Sequence, residues 1–226
     1  YKFKTKPYAH QLQALKKSWK KHEYAYFMEM GTGKSKVLID NIAILYNKGV
    51  INSAIIIAPK GVYRNWLEKE IPAHMPDHVE YKTAIWNPAP NKKQKKNLVE
   101  LFDPCYELKI LIINVEAFST KKGVAYVDKF IMGNLCLMAV DESTTIKNPK
   151  AQRTKNLIKL AVNTKYRRIL TGFPVTRSPL DLYSQCAFLN THLLGYGSFY
   201  SFQNRYAQVM NRKLGTHSFR QVVGYQ

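Results

Sequence analysis

Apolar positions along this chain follow two alternating rhythms. Short, mostly apolar runs at 24–28, 53–58, 108–115, 135–140 and 168–170, with a weaker one at 81–86, have the length of buried parallel strands. Between them, segments 8–19, 34–46, 62–71, 91–102, 124–132, 150–162 and 180–189 carry helical spacing, as at Leu12, Leu15 and Trp19. Gly49 and the turn Asn87-Pro88-Ala89-Pro90 punctuate the alternation. Strands and helices taking turns predict an α/β domain, a parallel sheet with helices on both faces. The alternation ends near residue 194. Residues 195–226 form an aromatic, partly helical extension, in which Phe199, Tyr200, Phe202 and Tyr206 read as packing side chains and 212–226 as a loop or short hairpin.

Two places on this pattern carry chemistry. The first apolar run leads into Met28-Glu29-Met30-Gly31-Thr32-Gly33-Lys34-Ser35, after which a helix begins. Two glycines let the backbone turn its N–H groups inward. Lys34 supplies a cation for outer phosphates, and Ser35 a hydroxyl for Mg²⁺. Gly31, Thr32, Gly33, Lys34 and Ser35 are therefore the expected polyphosphate cradle, with Met28 standing where such loops usually begin with glycine. The second place is Asp141 and Glu142, at the end of the run 135–140. Asp141 is placed to hold Mg²⁺ together with Ser35, and Glu142 to polarise an attacking water. The same pair also suits a plain acidic helix cap. Both places follow strands of a parallel sheet, so they are expected on one rim, where ligands of such sheets sit.

Composition adds a partner. The 226 residues are 46% hydrophobic, enough for one sizeable core, yet 35 Lys and Arg against 15 Asp and Glu leave a net charge of +20. So lopsided a field favours nucleic acid over mere solubility. No apolar run is long enough to cross a membrane, and no basic amphipathic segment suits a membrane surface. Cys105, Cys136 and Cys186 are scattered, as thiols in a reducing, intracellular compartment are. The histidines show no metal-ligand spacing; His74 and His78 are interrupted by Pro76 and preceded by Pro72. The lysine run 92–96 reads as a solvated helix face.

In order and spacing, these motifs resemble the first RecA-like lobe of a superfamily 2 helicase, of the SWI/SNF-type branch of double-stranded DNA translocases. The carriers are the loop 28–35, whose branch already lacks the first glycine; Ile55-Ile56-Ile57-Ala58-Pro59 followed by Asn65 and Trp66; Asp141 and Glu142 running on to Lys147 and Asn148; and Leu170-Thr171-Gly172-Phe173-Pro174, followed by a Leu-rich helix from Leu180. The resemblance implies a RecA-like P-loop NTPase fold over residues 1–194, ATP and Mg²⁺ as cofactors, and DNA-dependent ATP hydrolysis with Lys34, Asp141 and Glu142 as catalytic groups. It implies an adenine-reading glutamine before the loop, for which Gln11 is favoured over Gln13. It implies nucleic-acid contacts at Lys60, Gly61, Asn114, Lys147 and Asn148, and coupling of the ATP and DNA sites through Thr171 and Gly172. Trp66 either stacks on a base or packs in the core.

Four residues depart from the family pattern: Ser143 and Thr144 where a small residue and a histidine are usual, Phe173 for threonine, and Arg177 for asparagine. The resemblance also implies a second RecA-like lobe bearing arginine fingers, for which the roughly fifty residues after Pro174 are too few. Residues 195–226 are then a linker toward that lobe, and the chain, which opens on Tyr1 rather than Met, one lobe of a longer enzyme. A lobe of RNA or single-strand helicase and a non-catalytic polyanion-binding module are the competing expectations. Without large chromatin-type insertions, the resemblance suggests a compact enzyme of a bacterial-type cytoplasm rather than of a nucleus.

Overall fold

A computed structural model describes residues 1–214 and 217–225. Six strands, β1 (Glu23–Phe27), β2 (Ser53–Ala58), β3 (Tyr81–Ile85), β4 (Leu108–Asn114), β5 (Cys136–Asp141) and β6 (Tyr166–Thr171), pair in the order β1-β6-β5-β2-β4-β3, with every ladder parallel. The period of two sorts the strand residues between two cores. Ala54, Ile56, Ile110, Ile112, Leu137 and Ala139 face a layer built from α1 (Ala9–Ser18), α2 (Lys34–Asn47) and the helical segment that follows β2. Ile55, Ile57, Leu111, Ile113, Met138 and Val140 face α5 (Lys92–Glu100), α6 (Lys121–Met132), α7 (Gln152–Ala161) and α8 (Leu182–Leu189) on the opposite side. The α/β sandwich expected from the alternating rhythm is therefore present.

The helical segment after β2 differs from the expected uniform helix over 62–71. It runs as α3 (Tyr63–Asn65), a π-helical turn (Trp66–Glu70) and α4 (Ile71–His74). Pro72 has no N–H for the ordinary ladder, and the Ile71 N–H reaches back five residues to the Trp66 carbonyl. The helix thus passes through Pro72 and reaches His74, whose ring meets Thr5 Oγ1 at 3.1 Å.

Beyond residue 194, α9 (Phe199–Tyr206) leads into an antiparallel hairpin of β7 (Ala207–Leu214) and β8 (His217–Tyr225). This hairpin is longer than the loop or short hairpin expected over 212–226; residues 215–216 and Gln226 lie outside the described residues. Phe202 packs in a small cluster with Leu180 and Ala207, joined by Phe199 and Tyr206, whereas Tyr200 is exposed.

One buried cation ties the first helix to the sheet. Arg168 on β6 is fully buried, and all five of its N–H donors are engaged. Nε donates to Asn41 Oδ1 at 2.9 Å; one terminal nitrogen donates to the carbonyls of His22 and Arg167, the other to those of Ser18 and Lys21. No carboxylate is among these partners, and the charge is shared over carbonyls that close the C-terminal end of α1, where the helix dipole is negative. Replacing Arg168 by Met leaves these acceptors unpaired in the interior. The expected loss is about 3 kcal/mol, or a melting midpoint lower by about 6–12 °C. Thermal and urea unfolding of the variant check this, and an unchanged midpoint would deny the arginine its anchoring role.

Candidate functional site

Both chemical motifs open from the ends of adjacent strands. β6 lies between β1 and β5, with Phe27 opposite Thr171 and Asp141 opposite Leu170. The loop after β1 and the acidic pair after β5 consequently sit side by side on one rim. Gly31, Gly33, Lys34, Ser35, Asp141 and Glu142 line a common cleft of about 360 Å³, together with Met30 and Glu70.

The loop has the backbone its glycines allow. Gly31 and Gly33 take φ of +76° and +81°, the left-handed region, which a side chain strains. A Cβ on Gly33 would also stand 2.3 Å from Gln11 Nε2. Gln11 is the residue expected to read a base. It is buried, its Nε2 donating to the Thr32 carbonyl and its Oε1 accepting from the Tyr8 N–H, both at 3.0 Å. It therefore braces the phosphate loop against α1. Gln13 instead lines a separate cleft between α1 and β1, alongside His10 and Lys17. The Lys34 ammonium is held inside the loop by the carbonyls of Met28 at 3.1 Å and Glu29 at 3.2 Å.

The acidic pair is constrained from several sides. Asp141 Oδ2 accepts from the indole N–H of Trp66 at 2.9 Å, and Oδ1 accepts from the Glu142 N–H at 3.0 Å. Burial, reinforced by the neighbouring Glu142 charge, pushes the Asp141 carboxyl up to about 6, against the lowering effects of the Trp66 hydrogen bond and of Lys34. Glu142 has φ of 47°, the one non-glycine residue at positive φ among those described. Its carboxylate accepts from Thr171 Oγ1 at 3.4 Å, and the same hydroxyl accepts from the Phe173 N–H at 3.2 Å. Gly172 lies under the phosphate loop: a Cβ there would press on Met30, with Cγ at 3.3 Å.

Two contributions to this site escaped the sequence, the bond from Trp66 to Asp141 and the presence of Glu70. Trp66 is core, at 2% exposure, yet it also orients Asp141. Glu70 brings a third carboxylate to the cleft and accepts from Asn65 Nδ2 at 3.1 Å. Pro72, directly after the expected helix 62–71, was the available hint that this segment is irregular, but the π turn that carries Trp66 and Glu70 is a tertiary outcome. Among the described residues no three acidic side chains are grouped closely enough to hold a metal by themselves, but the Ser35 hydroxyl and the Asp141 carboxylate are hard oxygen donors on one cleft, which suits a divalent cation that takes its other ligands from phosphate and water.

The remaining candidates divide. Lys60 and Asn114 line a second cleft with Tyr63, Arg64, Trp86 and Glu116, while Gly61 is exposed beside it. The Asn114 side-chain Oδ1 already accepts from the Ala117 N–H at 2.9 Å. Lys147 does not stand free toward a ligand; its ammonium meets Thr176 Oγ1 and lies 3.5 Å from Asp181. Asn148 is exposed and closes a turn onto the Lys150 N–H at 2.9 Å.

A family profile described as the SNF2-related domain matches residues 10–223. The chain belongs to this family. "Probable ATP-dependent DNA helicase CHR12" of Arabidopsis thaliana is similar to this SNF2-related domain, 32% identical over 173 residues, spanning 73% of this chain and 14% of its own. "Helicase SWR1" of Mycosarcoma maydis is 30% identical over 182 residues, spanning 76% of this chain and 9% of its own. The chain therefore covers only a small part of these curated relatives. A solved structure, "Sulfolobus solfataricus SWI2/SNF2 ATPase core in complex with dsDNA", shares the fold with a TM-score of 0.69 over 91% of this chain and 40% of that one, at 22% identity. The bacterial-type cytoplasm expected from sequence is overturned. Such curated relatives are plant and fungal proteins, among them ones named as helicases and as a chromatin-remodeling complex ATPase chain, and so do not support a bacterial-type setting. No helix among the described residues is long and apolar enough to cross a membrane.

The raised Asp141 carboxyl has a defined sign. Its folded value, about 6, lies above the ordinary 3.8, so ionising it opposes folding. Metal-free stability accordingly falls as pH rises from about 4 through 6. Cation binding has the opposite trend, because a proton competes for the carboxylate. Mn²⁺ binding to the SNF2-related domain, read by electron paramagnetic resonance, is expected to weaken below about pH 6, approaching tenfold per pH unit. Trp66→Phe, which deletes the N–H and keeps the packing, moves that midpoint to higher pH; an unmoved midpoint would remove Trp66 from the site.

Proposed function

We propose that this chain is the ATP-binding lobe of a DNA-dependent ATPase that moves on duplex DNA. The observation that carries the proposal is the shared cleft: a glycine loop with Lys34 and Ser35, facing Asp141 and Glu142 across adjacent strands, in a chain of the SNF2-related family. Ser35 and Asp141 would hold Mg²⁺, and the loop N–H groups with Lys34 the phosphates. When bound, Mg²⁺ supplies neutralisation of charge on the phosphates. Glu142 would orient the attacking water, its own carboxylate steadied by Thr171. Gln11 would fix the loop from behind and keep one N–H and one lone pair for the base.

The cleft after β2 and β4, with Lys60 and Gly61 on its border, is the proposed track for a phosphate backbone. It lies on the β2 and β4 half of the rim, away from the nucleotide end at β1 and β6. A net charge of +20 supports a polyanion there. A second RecA-like lobe, supplying the groups that complete hydrolysis, belongs to the same proposal, as does the assignment of residues 195–226 as the link toward it.

The proposal is tested by titrating a fluorescent ADP or ATP analogue into the chain with and without Mg²⁺. Binding is expected to require Mg²⁺ for full strength and to fall at least about tenfold in Lys34→Ala, while hydrolysis by the isolated chain stays very slow. Mg²⁺-independent or absent binding would favour a non-catalytic polyanion-binding module. For the DNA track, Lys60→Ala should weaken duplex binding evenly across sequences and reduce the slope of log affinity against log salt by about 0.9. Stronger stimulation of the longer enzyme by RNA or single strands than by duplex would replace the duplex assignment.

A further inference from the structure

The departure at Ser143 and the loop that carries the departures Phe173 and Arg177 are joined by one buried side chain. Gln185 lies on α8, fully buried, and its carboxamide has three partners. Oε1 accepts from Ser143 Oγ at 2.6 Å. Nε2 donates to the carbonyl of Pro174 at 2.7 Å and to that of Asp181 at 2.8 Å. Ser143 is itself fully buried and directly follows Glu142. Pro174 belongs to the loop that leaves β6. A single amide therefore bridges the acidic turn and this loop.

The loop has few other supports, and those it has lead back to the same place. The Phe173 N–H is held by Thr171 Oγ1, which also donates to Glu142. The N–H groups of Thr176 and Arg177 are both held by Asp181 Oδ2, at 3.0 and 2.9 Å, and the carbonyl of the same Asp181 accepts from Gln185 Nε2. Lys147, from the far end of the acidic turn, closes the circle on Thr176 and Asp181. Meanwhile Phe173 at 64% and Val175 at 44% exposure, with Arg177, are presented outward. The apolar and cationic face of the loop is thus seated on the polar groups that hold Glu142.

We propose that Gln185 is a positioning residue that, through Ser143, makes the conformation of the 172–178 loop depend on the nucleotide held at the acidic turn. The proposal rests on the nucleotide reading of the cleft given above. Its physical content is a two-sided constraint. A buried amide with both ends engaged cannot release one partner without leaving a polar group unpaired. Ordering Glu142 around a bound nucleotide therefore orders Ser143, and with it the loop carbonyl that Gln185 holds. In Ser143→Ala the link to the acidic turn is cut, while Gln185 keeps its two bonds to the loop side. In Gln185→Leu both sides are cut.

Hydrogen–deuterium exchange of peptides covering 172–178, with and without Mg²⁺ and ADP, separates these cases. In the parent chain, nucleotide is expected to slow exchange of the loop about fivefold or more. Ser143→Ala is expected to bind ADP within about twofold of the parent and to melt within a few degrees of it, since it deletes one hydroxyl, yet its loop does not slow. Gln185→Leu exchanges faster even without nucleotide. Loop slowing in Ser143→Ala equal to that of the parent, or no slowing in a parent chain that binds ADP, overturns the inference and leaves the ATP site intact. A parent chain that binds no ADP overturns the nucleotide reading and this inference together. If Gln185→Leu does not fold, the Ser143→Ala comparison decides alone.

Discussion

The structure depends on the position of β6. This strand is hydrogen-bonded on one side to β1, which delivers the phosphate loop, and on the other to β5, which delivers the acidic pair. Parallel ladders put all three C-terminal ends on the same edge of the sheet, so groups far apart in sequence share one cleft. Arg168, in the middle of β6, also anchors α1 by its carbonyl end, and α1 carries Gln11 against the loop. One strand therefore sets the loop, the acid and the helix behind the loop.

The cleft this produces is electrostatically costly. Asp141 is buried beside Glu142, and its carboxyl is pushed up accordingly. Glu142 is held in the left-handed backbone region. Natural chains keep such strain where the surroundings over-determine it, and here the indole of Trp66, the hydroxyl of Thr171 and the Ser143–Gln185 bridge supply that determination. Under the proposed function, a divalent cation bound with the nucleotide would offset the charge of Asp141 and Glu142.

Most of the fold was legible in the chain before its structure. Unbroken runs such as Ser53–Ala58 can be buried only between two layers, and the observed strand has the expected bounds. The meeting of the glycine loop and the acidic pair on one rim was also legible, because both follow strands of a parallel sheet. Where the outcome departs, a long-range interaction decides. The helix over 62–71 became a π turn flanked by short helices around Pro72, and only the packed position of that turn brings Trp66 and Glu70 to the cleft. Lys147 carries the family's spacing, but its charge is taken by Asp181, a residue 34 positions downstream (181 − 147), which local pattern cannot reveal.

The sequence by itself determined the layered α/β architecture, the glycine loop and the acidic pair as candidate site motifs, and the strongly basic charge, because periodicity, local spacing and charge are properties of the chain alone. Only the tertiary structure decided strand order, the bracing of the loop by Gln11, the orientation of Asp141 by Trp66, and the Gln185 bridge. Each of these is a contact between distant segments. Such contacts form only once burial has removed the water that would otherwise satisfy the same donors and acceptors, and no local pattern encodes which of them will meet.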